Sequence, residues 1–174
     1  MIPPVRRWLQ RSLPALLLFG GQAATADWRV INHREADSEA ETTIASTTNP
    51  DGYTLEMYRD AGGAIRGRFT LTPGLTRLHD RTCPTFQIDR GPAVNRSVNN
   101  APCLAAERWA EFVLGYVSNN QVVSPRLLSF LNGNRITFRF RLASGNYRDT
   151  EFSLLGSKRS MTAAIGNDTP VTAR

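Results

Sequence analysis

The sequence predicts a mainly β fold, an antiparallel β-sandwich or half-open barrel with one short helix at about residues 124–132. Two observations support this prediction. Apolar and polar residues alternate along several short segments, as they do in strands with one buried face. Turn-forming residues separate these segments, and only one segment carries both the start and the stop signals of a helix. We expect about seven or eight strands.

Residues 1–26 have the pattern of an export signal, which is removed from the mature protein. The apolar run at residues 13–19 is too short to span a bilayer, which takes about 20 apolar residues. Ala24 and Ala26 match the small residues of a cleavage site. Three basic residues and no acidic one precede the run: Arg6, Arg7 and Arg11. The pattern predicts a bacterial protein that is periplasmic, secreted or at the cell surface, with a mature chain that starts at Asp27 and has no transmembrane segment.

The mature chain is predicted to be a single β-rich domain over residues 27–166, followed by a frayed tail at residues 167–174. Loss of the three signal arginines leaves 18 basic residues against 15 acidic ones, so the net charge falls from +6 to about +3. The chain also lacks the aromatic and glycine-rich motifs of nucleic-acid-binding domains. We therefore expect no nucleic-acid partner.

The first predicted strands are separated by a polar loop and a tight turn. Residues 28–31 predict a first strand, and the polar and acidic residues 32–41 predict a loop. Residues 42–47 have high β propensity. The Asn-Pro-Asp-Gly sequence at residues 49–52 is a strong turn signal. A second strand therefore ends near residue 48.

Two alternating segments follow, at residues 53–58 and 66–72, with a turn at residues 60–63 between them. Their core-facing side chains are predicted to be Tyr53, Leu55, Met57, Phe69 and Leu71. Short turns join neighbouring strands in antiparallel order. With the strand before them, these segments predict an antiparallel meander.

The middle of the chain, residues 73–102, has little alternation and one short predicted strand at residues 85–88. The two cysteines are Cys83 and Cys103. In an oxidising compartment, two cysteines about twenty residues apart predict one disulfide. The two cysteines do not have the Cys-x-x-Cys spacing of a redox pair. They also lack partners for a metal site, because His33 and His79 are isolated in sequence. The sequence predicts neither a metal nor a cofactor.

Residues 105–117 fit either a helix or a strand, and we favour the strand. Four apolar residues would share one helical face: Trp109, Phe112, Val113 and Tyr116. However, residues 109–115 followed by two asparagines also match a strand and a turn. The predicted helix comes next, because Ser124 suits an N-cap, Pro125 the first helical position and Gly133 the end.

Residues 135–142 are the clearest strand, and residues 147–155 are predicted to pair back with it as a hairpin. The apolar side chains that face inward are Ile136, Phe138, Phe140 and Leu142. Outward-pointing arginines occur on this strand and on the strand at residues 66–72. They are Arg66, Arg68, Arg135, Arg139 and Arg141. On one shared sheet face they would form an anion-binding patch for lipopolysaccharide phosphates or another envelope polyanion. The alternative is an ordinary solvated sheet face.

No arrangement of residues in the sequence predicts an active site. A nucleophilic site needs a base, and His79 is the better candidate of the two histidines. There is neither a Gly-x-Ser-x-Gly elbow nor a phosphate-binding glycine loop. We predict a non-catalytic domain that binds another protein or an envelope polyanion. The alternative is a small secreted hydrolase whose scattered site is built around His79.

Several landmarks together resemble the invasion-associated locus B family of exported proteobacterial proteins. The family's Trp-x-Val-x-Cys start is similar to residues 28–32, although Asn32 stands in place of the cysteine. The other landmarks are a cysteine pair, a leucine-rich segment, a strand and a Ser-Leu-x-Gly sequence, matched here by Cys83 with Cys103, residues 127–133, residues 136–142 and residues 153–156. Ser157 stands where the family has an aromatic residue. The resemblance implies a non-enzymatic β-sandwich of the periplasm or cell surface, linked in some pathogens to host-cell invasion, and it supplies no catalytic residues.

Overall fold

The computed structural model describes residues 26–34, 41–74, 77–79, 82–94 and 103–174. Apart from Ala26, the predicted export signal lies outside the described residues. The described part contains eleven strands and two helices. In chain order they are β1 (Arg29–Arg34), β2 (Glu41–Thr48), β3 (Thr54–Arg59), β4 (Ala64–Thr70), β5 (Thr85–Ile88), β6 (Cys103–Ala105), β7 (Trp109–Ser118), β8 (Gln121–Val123), α1 (Pro125–Asn132), β9 (Arg135–Arg141), β10 (Tyr147–Ser153), α2 (Ser157–Ile165) and β11 (Val171–Thr172).

The strands form two sheets that pack face to face. In the large sheet the strand order is β1-β2-β3-β4-β7-β8-β11, and β6 also pairs with β7. The small sheet has the order β10-β9-β5. Every pairing is antiparallel except that of β11 with β8. The predicted mainly β, antiparallel fold is confirmed, and neither sheet closes into a barrel.

The core lies between the two sheets and consists largely of phenylalanine. Phe69 of β4 stacks on Phe138 of β9 with ring centroids 4.8 Å apart. Phe86 of β5 meets Phe112 of β7 edge-on at 5.2 Å. Seven phenylalanines are at most 3% exposed: Phe69, Phe86, Phe112, Phe130, Phe138, Phe140 and Phe152. Because full burial of one such side chain contributes about 2–3 kcal/mol, contact between the sheets is the main source of stability.

The two helices cover parts of the large sheet that the small sheet leaves open. Leu127 of α1 and Met161 and Ile165 of α2 belong to the same core as the phenylalanines. Most contacts of α2 are with β2 and β3. The small sheet and both helices therefore lie on one side of the large sheet, its inner face. The opposite side is called the outer face below.

The predicted meander is confirmed as β2-β3-β4. Tyr53, Leu55 and Met57 are buried, as the alternation predicts. In the turn before them, the Gly52 N–H donates to the Asn49 carbonyl at 2.9 Å. Gly52 has a φ of +78°, a conformation that glycine adopts without strain. The turn signal in the sequence therefore has a direct backbone cause.

The predicted helix is confirmed as α1. The Ser124 side chain accepts a hydrogen bond from the Leu127 N–H at 3.1 Å, and Pro125 occupies the first helical turn. Gly133 ends the helix for a different reason than predicted, since its φ is −74°. A Cβ at this position would lie 2.5 Å from Ile88 Cγ2. Close approach to β5 therefore requires glycine here.

Residues 105–117 are extended, as we favoured. β6 ends at Ala105, and β7 pairs with β4 along most of its length, with one register shift between Ile65 and Arg66. This pairing places Trp109 and Glu111 on the outer face and Ala110 and Phe112 on the inner face. The position of Glu111 matters for the site described below.

The prediction of a single helix is wrong, because α2 is a second one. Its buried face mixes Ser157 and Ser160 with Met161, Ala164 and Ile165. The two serines interrupt the apolar period that marks a helix in sequence. No serine, threonine or acidic residue caps its first turn either, since Gly156 precedes it.

The prediction of a frayed tail at residues 167–174 is also wrong. β11 pairs with β8, and the Ser124 N–H donates to the Thr172 carbonyl at 2.8 Å. Thr169 is buried. This strand is held by backbone hydrogen bonds, which leave no pattern of side chains in the sequence.

Two further boundaries and the number of strands differ from prediction. Residues 32–34 continue β1, Glu41 begins β2, and residues 35–40 of the predicted loop lie outside the described part. β6, β8 and β11 are two or three residues long and raise the number of strands above the expected seven or eight. Of the helices in the described ranges, neither has the length and apolar character needed to cross a membrane.

Candidate functional site

The five arginines of the predicted anion-binding patch lie on opposite sides of the sandwich. Phe69 of β4 and Phe138 of β9 meet in the core. Side chains alternate along a strand, so Arg66 and Arg68 point to the outer face of the large sheet, and the arginines of β9 point to the far side of the small sheet. The prediction that Arg66, Arg68, Arg135, Arg139 and Arg141 form one patch is therefore wrong.

The arginines of the small sheet form exposed pairs. Arg135 Nε lies 3.3 Å from Glu151 Oε2, and Arg139 Nη1 lies 3.7 Å from Asp149 Oδ2. All four side chains are more than half exposed. Arg141 donates from Nε to the Gly145 carbonyl at 3.3 Å, and its guanidinium lies 6.0 Å from the Tyr147 ring centroid. Most of this positive charge is balanced on the sheet itself.

The arginines of the large sheet converge instead on one buried carboxylate, Glu111 of β7. Arg66 Nη1 donates to Glu111 Oε1 at 2.9 Å. Arg68 donates to Oε2 from Nη2 at 2.8 Å and from Nε at 3.0 Å. The Tyr58 hydroxyl donates to the same oxygen at 2.5 Å. The Glu111 side chain is only 6% exposed, so these partners replace its water.

Strand register explains why these residues meet. Arg68 of β4 lies opposite Glu56 of β3 and Glu111 of β7, and Tyr58 lies opposite Arg66. Neighbouring strands place directly paired side chains about 5 Å apart, within reach of one another. The turn between β3 and β4 adds another carboxylate.

That carboxylate is Asp60, which links the turn to the arginines. Its Oδ1 accepts a hydrogen bond from the Ala64 N–H at 2.8 Å, and its Oδ2 accepts from Arg66 Nε at 2.6 Å. Arg66 is therefore held at both ends of its guanidinium, by Asp60 and Glu111. We call Tyr58, Asp60, Arg66, Arg68, Trp109 and Glu111 the Glu111 cluster.

Aromatic rings hold Arg68 in place. Its guanidinium carbon lies 5.3 Å from the Tyr58 ring centroid and 5.2 Å from the Trp109 ring centroid. Both distances are within the range of cation–π attraction. The side chain of Arg68 is 37% exposed, so part of it remains accessible from solvent.

The cluster shifts the ionisation of its members. Burial raises the pKa of Tyr58 to about 12, and the hydrogen bond to Glu111 acts in the same direction. Burial on its own would raise the pKa of Glu111, but the hydrogen bonds from Tyr58 and Arg68 hold that pKa below its usual range. Burial raises the pKa of neighbouring Glu56, which Arg68 only partly opposes. Tyr58 is thus protonated and Glu111 ionised at neutral pH.

The cluster is chemically suited to recognition more than to proton transfer. Both oxygens of Glu111 are engaged by Tyr58, Arg66 and Arg68. The two arginines face the carboxylates of Asp60 and Glu111, and Glu56 lies opposite Arg68, so the positive charge of the cluster is fully balanced. The arrangement is a rigid polar surface with aromatic groups beside it.

Exposed apolar residues flank the cluster on the same face. Leu104 of β6 lies opposite Glu111 and is 57% exposed. On the other side, Ile31 of β1 pairs with Ile44 of β2, which pairs with Tyr58. Ile31 is 47% exposed. The outer face therefore runs from Ile31 to Leu104 across six strands.

The two cysteines form the predicted disulfide, with their Cα atoms 6.0 Å apart. Cys83 lies just before β5 of the small sheet, and Cys103 begins β6 of the large sheet. The disulfide therefore joins the two layers of the sandwich.

His79, the candidate base, lies beside a hydroxyl. Its Nδ1 is 3.1 Å from Thr82 Oγ1, and its backbone N–H donates to the Arg141 carbonyl at 2.9 Å. In the described ranges, no group of three or more His, Cys, Asp and Glu side chains is placed to hold a metal ion.

Comparison of the chain with protein-family models, with curated proteins and with solved structures gives no match.

Sequence reasoning missed the members of the cluster other than its arginines. Glu111 could not be assigned to a face while residues 105–117 fitted both a helix and a strand. Tyr58 and Arg66 do occupy outward positions in alternating segments, which is a usable signal. Their meeting with Glu111 depends on the pairing of β4 with β7, which spans more than 40 residues of sequence.

Proposed function

We propose that this protein is an exported, non-catalytic domain that binds another protein through the outer face of its large sheet. The observation that carries the proposal is the placement of Arg68 between Tyr58 and Trp109 on that face. Tyrosine, tryptophan and arginine dominate the energetic centres of protein interfaces. Side chains that are already fixed by a hydrogen-bond network lose little entropy when a partner binds.

The charges of the cluster favour a protein partner over a polyanion. A polyanion site needs an excess of positive charge. Here Asp60 and Glu111 pair with Arg66 and Arg68, and Glu56 lies opposite Arg68, so these residues carry no excess of positive charge. The exposed Leu104 and Ile31 extend the surface with apolar area, which a protein partner would bury.

The compartment is proposed to be the periplasm, the cell surface or the exterior. Support comes from the signal pattern of residues 1–26 and from the Cys83–Cys103 disulfide, because disulfides persist in oxidising compartments. A role in host-cell invasion rests only on the resemblance to the invasion-associated locus B family. Mass measurement of protein from the periplasmic fraction should give a chain that starts at Asp27, whereas an intact chain in the cytoplasm would contradict export.

Site-specific photocrosslinking in cells tests the binding face. A photoreactive residue in place of Leu104 should give one discrete protein adduct. Tyr147, on the outer side of the small sheet, is equally exposed at 57% and is the matched control position. Trp109→Ala should reduce the adduct about tenfold, since loss of an interface anchor costs more than 1 kcal/mol. Equal adducts from both positions, or an adduct insensitive to Trp109→Ala, would contradict the proposal.

The second candidate is a small secreted hydrolase with His79 as its base. The contact between His79 Nδ1 and Thr82 Oγ1 supports it, because a hydroxyl beside an imidazole is the pairing that activates a nucleophile. Turnover of generic ester or peptide substrates that disappears in His79→Ala would favour this candidate. Activity that survives the substitution, or no turnover by the parent, would dispose of it.

A further inference from the structure

A cleft of about 860 Å³ opens between the two layers, away from the outer face of the large sheet. One wall is the end of β2 and the turn that follows it, residues 47–51. The other wall is formed by residues 134–135, 151–153 and 155. Ligand sites commonly have volumes of about 300–1,000 Å³, so the cleft is large enough for a small molecule or a side chain.

Thr47 gives the cleft an unmet hydrogen-bonding group. Thr47 lines the cleft, yet the residue is only 2% exposed. Its Oγ1 is buried and has no hydrogen-bond partner in the described part of the chain. Buried hydroxyls normally find a partner, and a small rotation of the Thr47 side chain towards the cleft would let a bound group supply one.

Asp51 places a fixed carboxylate in the same cleft. Its Oδ2 accepts a hydrogen bond from Thr150 Oγ1 at 2.6 Å. That hydroxyl in turn accepts from Asn49 Nδ2 at 2.7 Å, a bond that is buried. The Asn49 side chain is held in turn, because its Oδ1 accepts a hydrogen bond from the Tyr53 N–H. The chain of bonds orients Asp51 and engages only one of its two carboxylate oxygens.

The ionised groups that line the cleft are mainly acidic. Asp27 pairs with Arg29 at 3.5 Å and Glu151 pairs with Arg135 at 3.3 Å, so Asp51 is the lining carboxylate that no ion pair among the described residues neutralises. Cleavage before Asp27 would remove Ala26, which also lines the cleft, and would add an α-ammonium group there. The Asp51 carboxylate would still have no ion pair among the described residues and remains available to a cation.

We propose that this cleft binds an organic cation, an alkylammonium group that donates to the Asp51 carboxylate and to Thr47 Oγ1. An ammonium group has three donors and no acceptor, which suits these two acceptors. The attached alkyl chain would lie against Phe152 and Leu155, which also line the cleft. The same chemistry is offered by a free amine and by the lysine side chain of a peptide.

Binding of three probes to the purified protein, measured by titration calorimetry, tests the charge requirement. n-Pentylammonium should bind at least about tenfold more tightly than 1-pentanol, because hydrogen bonds to charged groups are the stronger ones. Nα-acetyl-lysine amide separates the two sources. Tighter binding than pentylammonium points to a peptide lysine, and weaker binding points to a free amine.

Two substitutions in the cleft and one outside it test the assignment of residues. Asp51→Asn should weaken pentylammonium binding about tenfold, and Thr47→Val about threefold, as expected for a charged and a neutral hydrogen bond. Glu107→Gln removes an exposed carboxylate that is not among the lining residues and should change nothing. Thr47→Val keeps the shape of the side chain, so it remains informative if Asp51→Asn fails to fold.

The proposal is overturned if pentanol binds as well as pentylammonium, if none of the probes binds, or if both cleft variants bind as the parent does. These outcomes do not bear on the outer face, because the crosslinking positions lie elsewhere on the molecule.

Discussion

The outer sides of the two sheets carry the same kinds of residue in very different settings. On the large sheet, Glu111 is 6% exposed and contacts Arg66, Arg68 and Tyr58. On the small sheet, Asp149 and Glu151 each pair with one arginine and are more than half exposed. Exposed pairs contribute little, whereas a buried carboxylate depends on its partners. The comparison shows that burial, more than the presence of arginines, decides which face is organised.

Neighbouring strands account for the difference. β4 lies between β3 and β7, which bring the rings of Tyr58 and Trp109 to either side of Arg68. β9 lies between β5, which has four residues, and β10, which is an edge strand. Few side chains are therefore available to shield Arg135 and Arg139 from water.

Removal of the disulfide should have the largest effect, because it joins the layers that carry the two faces. Replacing both Cys83 and Cys103 by alanine should lower the free energy of unfolding by about 3 kcal/mol on the chain-entropy model. Urea unfolding with and without a reductant checks this value. A loss below about 1 kcal/mol would mean that the phenylalanine core holds the layers together without the covalent link.

Glu111→Gln should have the next largest effect on the free energy of unfolding, and it tests directly whether the two outer faces differ. The amide keeps the shape of the side chain but leaves Arg66 and Arg68 without their shared anion. Because both arginines are partly exposed, the cost should be about 2 kcal/mol, below that of a fully buried pair. Glu151→Gln on the small sheet is the matched control and should cost less than about 0.5 kcal/mol. Similar losses for both variants, measured by urea unfolding, would contradict the distinction between buried and exposed pairs.

Tyr58 offers a test of the cluster at high pH. Because burial and Glu111 raise its pKa to about 12, its contribution to stability is complete below the ordinary tyrosine pKa near 10 and is lost as the pH rises through about 12. Ultraviolet titration should show the late ionisation of Tyr58 in the parent. Tyr58→Phe should remove this step, whereas Tyr147→Phe should leave it in place. A late step that survives Tyr58→Phe would place the perturbed group elsewhere.

Sequence patterns were sufficient to predict those strands and helices whose cause lies in neighbouring residues. Residues 135–142 alternate because one face of β9 meets the core, and Ser124 with Pro125 starts α1 through bonds within one turn. Tertiary pairing hid the rest. The tail residues Val171 and Thr172 join β8 through backbone bonds, and α2 buries two serines along with its apolar residues.

The candidate site was predictable only in part for the same reason. Outward positions for Arg66 and Arg68 follow from alternation. Their separation from Arg139 and Arg141 depends on which sheet each strand joins, and this is set by long-range packing of residues such as Phe69 and Phe138. The cleft beside Thr47 likewise forms between segments about 100 residues apart in sequence.

The smallest expected effect comes from the arginines of the small sheet. Substituting both Arg139 and Arg141 by serine should change the free energy of unfolding by no more than about 0.5 kcal/mol, since the affected interactions are exposed. Binding of inorganic polyphosphate at low salt should also stay nearly unchanged, because Asp149 and Glu151 balance much of the positive charge on this face. Fluorescence anisotropy with labelled polyphosphate measures the binding. If the double variant loses most of its binding, and the parent's binding falls steeply with salt, this face is a polyanion site despite its carboxylates. The proposed preference for a protein partner would then apply only to the large sheet.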